Sequence, residues 1–425
     1  MRVAIVHDWL YVLGGAERVL SAMMRCFPEA DLFCLFDILS PKDRVHAGLP
    51  SSRTSFLQRM PWIDSRHRLY LPLMPLAIEQ LDLSDYDVVI SSSYAVAKGV
   101  LTGPDQLHIS YVHSPIRYAW DLQHQYLRES GWDRGLKGAV ARYILHKIRL
   151  WDTRTASGVN HFVANSNFIA RRIRKVYGRR AAVIFPPVDV PDALPQPAAQ
   201  PSGADTGAGF YLAASRLVPY KNVLAIVEAF RLMPGKRLVV AGAGPELARL
   251  KAVGATNVEF VGFVSDERLR ELMRAAEAFV FAAEEDFGIV PVEVQGQGTP
   301  VLALGRGGVR ETVITDDRAP TGLFFDTPQA SAIVAAVEAF EHRRGQFTRA
   351  ACHANAARFR TDRFEREFTA FVHDCYATFQ SGLEEGRGTP AASIPTASAA
   401  AGASAPRHLR LLPTPSEIGA GKGYS

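Results

Sequence analysis

Short β-branched runs, each followed by a loop and a stretch of helical periodicity, recur through nearly the whole of this chain. Such alternation builds parallel sheets with helices packed on their faces, because a parallel connection needs a long crossover that a helix fills compactly. Val3–Val6 reads as the first strand, followed by a loop containing Gly14 and Gly15 and a helix from about Ala16. Further strands are expected at Asp31–Phe36, Val88–Ser91, Ile109–His113, Phe162–Ala164 and Val183–Phe185. Ser166 is the expected N-cap of a helix carrying Phe168, Ile169, Ile173 and Val176. The series then breaks over residues 186–208, where Pro, Ala, Gln, Ser and Gly dominate, as in a linker. A second series has strands at Phe210–Ala214, Leu238–Ala241, Val258–Val261, Ala278–Phe281 and Val301–Leu304, and an amphipathic helix is expected over Asp362–Phe379.

The 425 residues exceed what one ordinary core accommodates, so the break separates two α/β domains, residues 1–190 and 205–360. Residues 381–425, rich in Ala, Gly, Pro, Ser and Thr, read as a disordered tail. The four cysteines show no metal-ligand spacing and read as reduced thiols, with a cytoplasmic location expected. No apolar run approaches the ~20 residues that a spanning helix needs. The N-terminus begins like a signal peptide, but His7 and Asp8 interrupt it, which fits a first strand. A net charge of +5 suits an anionic ligand or an acidic membrane surface, and no nucleic-acid partner is expected.

Four constellations carry chemistry. Glu285 and Glu293 flank a glycine-containing turn directly after the strand Ala278–Phe281. In doubly wound folds ligands bind at strand C-terminal ends, where free backbone N–H groups hold phosphates or sugar hydroxyls. Glu285 is expected in the loop facing the ligand, with Glu293 on the helix reaching a ribose diol. Arg216 and Lys221 bracket a turn after Phe210–Ala214, where two fixed cations can neutralise a diphosphate leaving group. Gly14-Gly15 after strand one lets the backbone approach a ligand. His113, at the end of its strand, faces the same crevice.

Other signals fail. Asp85-Tyr86-Asp87 has a metal-binding pattern but precedes its strand, at the wrong end for a metal–diphosphate site. Gly242-Ala243-Gly244 begins like a dinucleotide fingerprint, but Leu247 holds the third glycine's place, and no P-loop pattern occurs. Two basic stretches bear on membranes. Arg53–Leu71 interleaves arginines with Phe56, Trp62 and Tyr70; Arg134–Arg154 reads as a helix with Val140, Ile144, Ile148 and Trp151 on one stripe beside Arg142, Lys147 and Arg149. An ordinary core-facing helix with a solvated basic side has the same pattern.

The ordered set Gly14-Gly15, His113-Ser114-Pro115, Arg216…Lys221 and Glu285…Glu293, with Gly-Gln-Gly-Thr-Pro-Val at 296–301, resembles family 4 of the retaining glycosyltransferases over residues 1–380. The segments around His113, Ser91 to Gly99 and Phe185 to Asp189 are similar to those of bacterial mannosyltransferases of surface-polysaccharide assembly. The resemblance implies the GT-B fold, with two Rossmann-like domains facing across a cleft and helix 362–380 joining the first domain. It implies a nucleotide-sugar donor, GDP-mannose, with no metal ion and no cofactor. The acceptor would be a polyprenyl-diphosphate-linked glycan, and the enzyme would sit peripherally on the inner face of the cytoplasmic membrane. It assigns Arg216 and Lys221 to the donor diphosphate, with Gly15 approaching from the first domain. Glu285 goes to the donor sugar near its anomeric carbon, Glu293 to the ribose, and the backbone of Phe287, Gly288, Ile289 and Val290 to sugar and phosphate. His113 supports the transferred sugar. Asp286 stands where the family often has glycine. A nucleotide-sugar epimerase of the same fold and a non-catalytic sugar-binding subunit are the competing readings.

Overall fold

The computed structural model describes residues 1–197, 209–316 and 318–388. Seven strands form the first sheet: β1 (Val3–His7), β2 (Asp31–Cys34), β3 (Arg53–Thr54), β4 (Val88–Ser93), β5 (Leu107–Val112), β6 (His161–Ala164) and β7 (Ala181–Val183). Their order is β3-β2-β1-β4-β5-β6-β7, with every pairing parallel. The second sheet contains β8 (Phe210–Ala214), β9 (Arg237–Ala241), β10 (Val258–Gly262), β11 (Ala278–Phe281), β12 (Val301–Leu304) and β13 (Gly322–Phe325). It is also wholly parallel, in the order β10-β9-β8-β11-β12-β13.

Both sheets are covered on two faces, which is why β1 and β8 are buried along their whole length and read as continuous apolar runs. In each sheet the winding reverses beside its first strand, between β1 and β4 and between β8 and β11. Loops leaving those strands diverge and open a crevice at their carboxyl ends.

The helix Thr361–Gly388 completes the first domain from the far end of the sequence. Phe364, Phe368 and Val372, spaced four apart on one helical face, are fully buried against a core that includes Ile5, Val19, Leu20 and Met23. Each such side chain contributes about 2 kcal/mol of hydrophobic stabilisation. The helix continues through 381–388, where composition predicts the tail. Residues 389–425 of that tail, and 198–208 of the linker, lie outside the described residues. The chain passes between the domains at two adjoining points: Val188 bridges to Arg360, and its N–H donates to the Phe359 carbonyl at 2.9 Å. Phe359 packs there with Val188, Val190, Phe287 and Val292. Among the described residues no helix is long and apolar enough to cross a membrane.

Candidate active site

On the second domain, the loops after β8 and β11 meet across the switch point. Asn222 holds a left-handed backbone conformation (φ 53°) and donates from Nδ2 to the Ala282 carbonyl at 2.9 Å. This ties the end of the β8 loop to the end of β11 and delivers Lys221 to Glu285, with which it forms an ion pair. Lys221 Nζ also lies over the rings of Tyr220 and Phe281, 5.4 and 5.9 Å from their centroids. Burial and the neighbouring Arg216 and Arg117 charges push the Lys221 ammonium down to about 8, with Asp286 pulling it back. Arg216 itself is exposed and donates to the Tyr220 hydroxyl at 3.0 Å.

The Glu285 loop is held by two glycines from the next βα turn. Gly307 (φ 76°) bridges to Glu285, and the Gly308 N–H donates to the Glu285 carbonyl at 2.8 Å. A Cβ on Gly307 would stand 2.3 Å from that carbonyl, and one on Gly308 2.4 Å from the Asp286 carbonyl. Gly288 (φ 87°) then turns the chain into the helix Ile289–Gly296, whose first-turn N–H groups lack intrahelical acceptors. Phe287 points into the interdomain core, so only its backbone is available to a ligand. Gly242 and Gly244 do a similar packing job. Cβ atoms there would meet the Ser215 and Leu217 carbonyls at 1.9 and 2.3 Å, so these glycines serve loop-on-loop contact.

From the first domain, Gly15 comes against Ile289, leaving 2.9 Å between a built Cβ and Cδ1 of Ile289. One residue turn further on, Arg18 ion-pairs with Glu293. His113 lines a cavity of about 480 Å³ with Trp9, Tyr94, Tyr118 and Asp286 among its walls. Trp9 is stacked on Phe36 (centroids 5.9 Å apart) and meets Tyr94 edge-on at 5.2 Å, so its ring is a fixed wall. Buried Asp8 accepts from the backbone N–H groups of Tyr94, Ala95, Val96 and Ala97 at 2.6–3.0 Å, which fixes the turn after β4. His113 Nε2 bonds the Ser92 hydroxyl at 2.9 Å, and burial pushes its imidazole down to about 3.

The structure gives Asp286 a partner set that glycine could not have. Its carboxylate pairs with Arg172 at 3.0 Å and Arg117 at 3.4 Å, both from the first domain; its backbone carbonyl, which a glycine would offer too, accepts from Ser166 Oγ at 2.6 Å. Glu311 makes a second clasp, accepting from the N–H groups of Asn167 and Phe168, each at 2.8 Å, at the start of the helix Asn167–Tyr177. Arg18, Arg117, Arg172 and Glu311 were invisible as site residues in sequence, because surface-type charges gain meaning only once the domains face each other. The aromatic cavity was equally hidden, since its walls come from segments far apart in the chain.

The structure brings Lys221 and Glu285 together beside the start of helix Ile289–Gly296, with Arg216 near enough to act on the Lys221 charge, Gly15 against Ile289, Glu293 further along that helix on Arg18, and His113 sharing a cavity with Asp286. The Asp85–Asp87 pattern lies at the amino end of β4, where Asp87 accepts from the Arg2 N–H at 2.6 Å. On the basic helix Gly135–Thr155 the expected stripe holds at buried Ile148 and at Ile144 and Trp151, which pack against buried clusters, and fails at exposed Val140. Ala141, Leu145 and Ile148 are buried, while Leu136, Val140, Tyr143 and Leu150 are exposed. Arg149 turns inward to the Ala119 carbonyl at 2.7 Å, so it is no surface cation.

Two doubly wound domains whose switch-point loops converge on one cleft make up the GT-B fold. Residues 13–191 match the model of Glycosyltransferase Family 4 and residues 197–359 that of Glycosyl transferases group 1, and the chain belongs to family 4. Among its relatives is the GDP-mannose-dependent alpha-(1-6)-phosphatidylinositol monomannoside mannosyltransferase of Mycobacterium tuberculosis, 29% identical over 47% of this chain and 55% of that one. Another is D-inositol 3-phosphate glycosyltransferase 2 of Catenulispora acidiphila, 30% identical over 49% of this chain and 54% of that one. The chain thus spans about half the length of the curated relatives it matches. Anabaena HepE in complex with UDP and glucose shares the fold with a TM-score of 0.62 at 17% identity, over 88% of this chain and 99% of that one. Sucrose-phosphate synthase from Thermosynechococcus elongatus does so with a TM-score of 0.64 at 17% identity, over 89% of this chain and 100% of that one.

Proposed function

We propose that this protein transfers a hexosyl group, mannosyl from GDP-mannose, onto a hydroxyl of a lipid-linked oligosaccharide or related glycan in polysaccharide biosynthesis. Transfer proceeds with retention, giving an α-linkage. The observation that carries the reading is the contact of Lys221 with Glu285 beside the open terminus of helix Ile289–Gly296. The terminus and Lys221, with Arg216, take the donor diphosphate, and Glu285 faces the sugar. The bond from anomeric carbon to diphosphate oxygen breaks, and a carbon–oxygen bond to the acceptor forms on the same face. The acceptor proton passes to the departing diphosphate, releasing GDP. Cationic groups fixed at that diphosphate stabilise the charge that develops on it, which is where a preorganised site lowers the barrier most.

The mannosyl assignment leans on the mycobacterial relative, whose name specifies GDP-mannose. A thermal-shift panel of nucleotide sugars, followed by turnover with a lipid-linked acceptor, tests it. GDP-mannose should stabilise most and release GDP when acceptor is added. Stabilisation by UDP-glucose with GDP-mannose silent would move the assignment to another sugar.

The acceptor half is read as resting on an anionic bilayer. Leu136, Val140, Tyr143 and Leu150 form an exposed apolar stripe, with Lys137, Arg142 and Lys147 on the same helix and exposed Trp62, Leu69 and Leu76 in the other basic stretch. Each juxtamembrane cation contributes about 1 kcal/mol on such a surface. Replacing Lys137, Arg142 and Lys147 with Glu should therefore reduce co-sedimentation with phosphatidylserine vesicles by more than about tenfold. Unchanged co-sedimentation would remove the bilayer from the picture.

A further inference from the structure

A buried chain of hydrogen bonds runs from the helix that follows the Gly14-Gly15 loop to the histidine in the cleft. Glu17 sits at the third position of the helix Gly15–Cys26, and its Oε2 accepts from the Gly14 N–H at 2.8 Å, capping the start of the helix. Its other oxygen, Oε1, lies 3.5 Å from His7 Nε2. His7 Nδ1 is 3.0 Å from Ser92 Oγ, and the same hydroxyl is 2.9 Å from His113 Nε2. Glu17, His7 and Ser92 are all buried.

The protons in this chain can be ordered from its fixed end. An ionised carboxylate only accepts, so His7 carries its proton on Nε2 and donates to Glu17. A His7 that holds only this one proton has a lone pair on Nδ1, which the Ser92 hydroxyl must fill with its single proton. That leaves the Ser92 oxygen as an acceptor, satisfied by a proton on His113 Nε2. We infer that Glu17, His7 and Ser92 are positioning residues that lock His113 in the Nε2–H tautomer, so that it presents a bare Nδ1 lone pair to the cleft. The burial that keeps the His113 imidazole neutral ensures that no second proton alters this. A lone pair there receives a donor, so the ligand group it meets is a hydroxyl. A sugar carboxylate in the same place would face lone pair against lone pair. The chain thereby selects a neutral hexosyl group over a hexuronyl one, an assignment that rests on the glycosyltransferase reading above.

Glu17→Gln gives a discriminating test. Its amide oxygen can keep the cap to the Gly14 N–H, which turns the NH2 toward His7 Nε2. His7 must then protonate Nδ1 and donate to Ser92, whose proton swings to His113 Nε2 and drives the proton of His113 to Nδ1. Long-range ¹H–¹⁵N correlation on imidazole-labelled protein, with His113→Gln to assign the signal, reads the tautomer directly without ligand. Expected are a protonated Nε2 with a bare Nδ1 in the parent and the reverse in Glu17→Gln. The variant's kcat should fall on the order of tenfold, with the donor KM little changed, because the cap and fold survive. A protonated Nδ1 in the parent, or an unchanged tautomer in Glu17→Gln, overturns the inference. If the tautomers behave as expected but His113→Ala transfers sugar normally, the relay stands and the role of His113 in transfer falls.

Discussion

On the second domain's side of the cleft, glycines press loop backbones together: Gly242 and Gly244 onto Ser215–Leu217, Gly307 and Gly308 onto Glu285–Asp286. The first domain's side is walled by aromatic side chains, with Trp9, Tyr94 and Tyr118 around an open cavity. A backbone-built site can hold groups common to every nucleotide sugar, phosphates above all, and tolerates no added side chain. A side-chain-built cavity can be recut by substitution while the fold stays the same. On the proposed function, the donor side is therefore the one that tolerates least change and the acceptor side the one that can be recut.

That division can be broken at its strongest point with Lys221→Ala, which should lower kcat/KM by about 100- to 1000-fold while the circular dichroism spectrum is retained. Undiminished transfer would take Lys221 away from the diphosphate. Gly307→Ala should cost about 2–3 kcal/mol, seen as a lowered Tm and weakened donor binding, because its Cβ collides with a carbonyl and its φ is positive. Trp9→Ala should act oppositely, raising the acceptor KM about tenfold with donor affinity unchanged. A matching loss in donor affinity would mean that the two halves are not separable. The smallest effect concerns pH. Burial beside Arg216 and Arg117 brings Lys221 to about 8, so its charge, needed for the diphosphate, is present below that pH and lost above it. Donor KM should climb severalfold as pH rises past about 8, and Lys221→Arg should remove that limb, since arginine stays charged. His113, neutral from about 3 upward, adds no limb between pH 5 and 9.

The same contrast explains what could be read in the sequence. Strands such as β8, β11 and β12 are runs of four or five buried residues, and their expected bounds coincide with those found. β3 is two partly exposed residues at a sheet edge and carries no apolar signal, and β13 begins at a glycine. β7 lies two residues before its expected start, because partly exposed Ala181–Val183 form the paired stretch, while Ile184 goes into the first-domain core and Phe185 turns away to the domain junction. Glu285, Lys221 and Gly288 were legible because local chain geometry places them. Asp286 was legible only as a misfit, and its ion pairs with Arg117 and Arg172 lie more than a hundred positions away in sequence. On Gly135–Thr155 the expected stripe fails at Val140 alone, because that helix also carries apolar residues off the covered face and periodicity cannot say which of them are exposed.

The last helix has a consequence for the order in which the protein is made. Phe364, Phe368 and Val372 fill a core whose earlier members, from Val3 to Ile184, precede Phe364 in the chain by about 180 to 360 residues. The domain synthesised first is therefore finished last. Until translation has passed the second domain, the first holds an uncovered apolar face, the kind of surface that chaperones bind and that aggregates in their absence. A chain cut after Phe359 would lose no residue around Glu285, yet would leave the first domain without its closing layer.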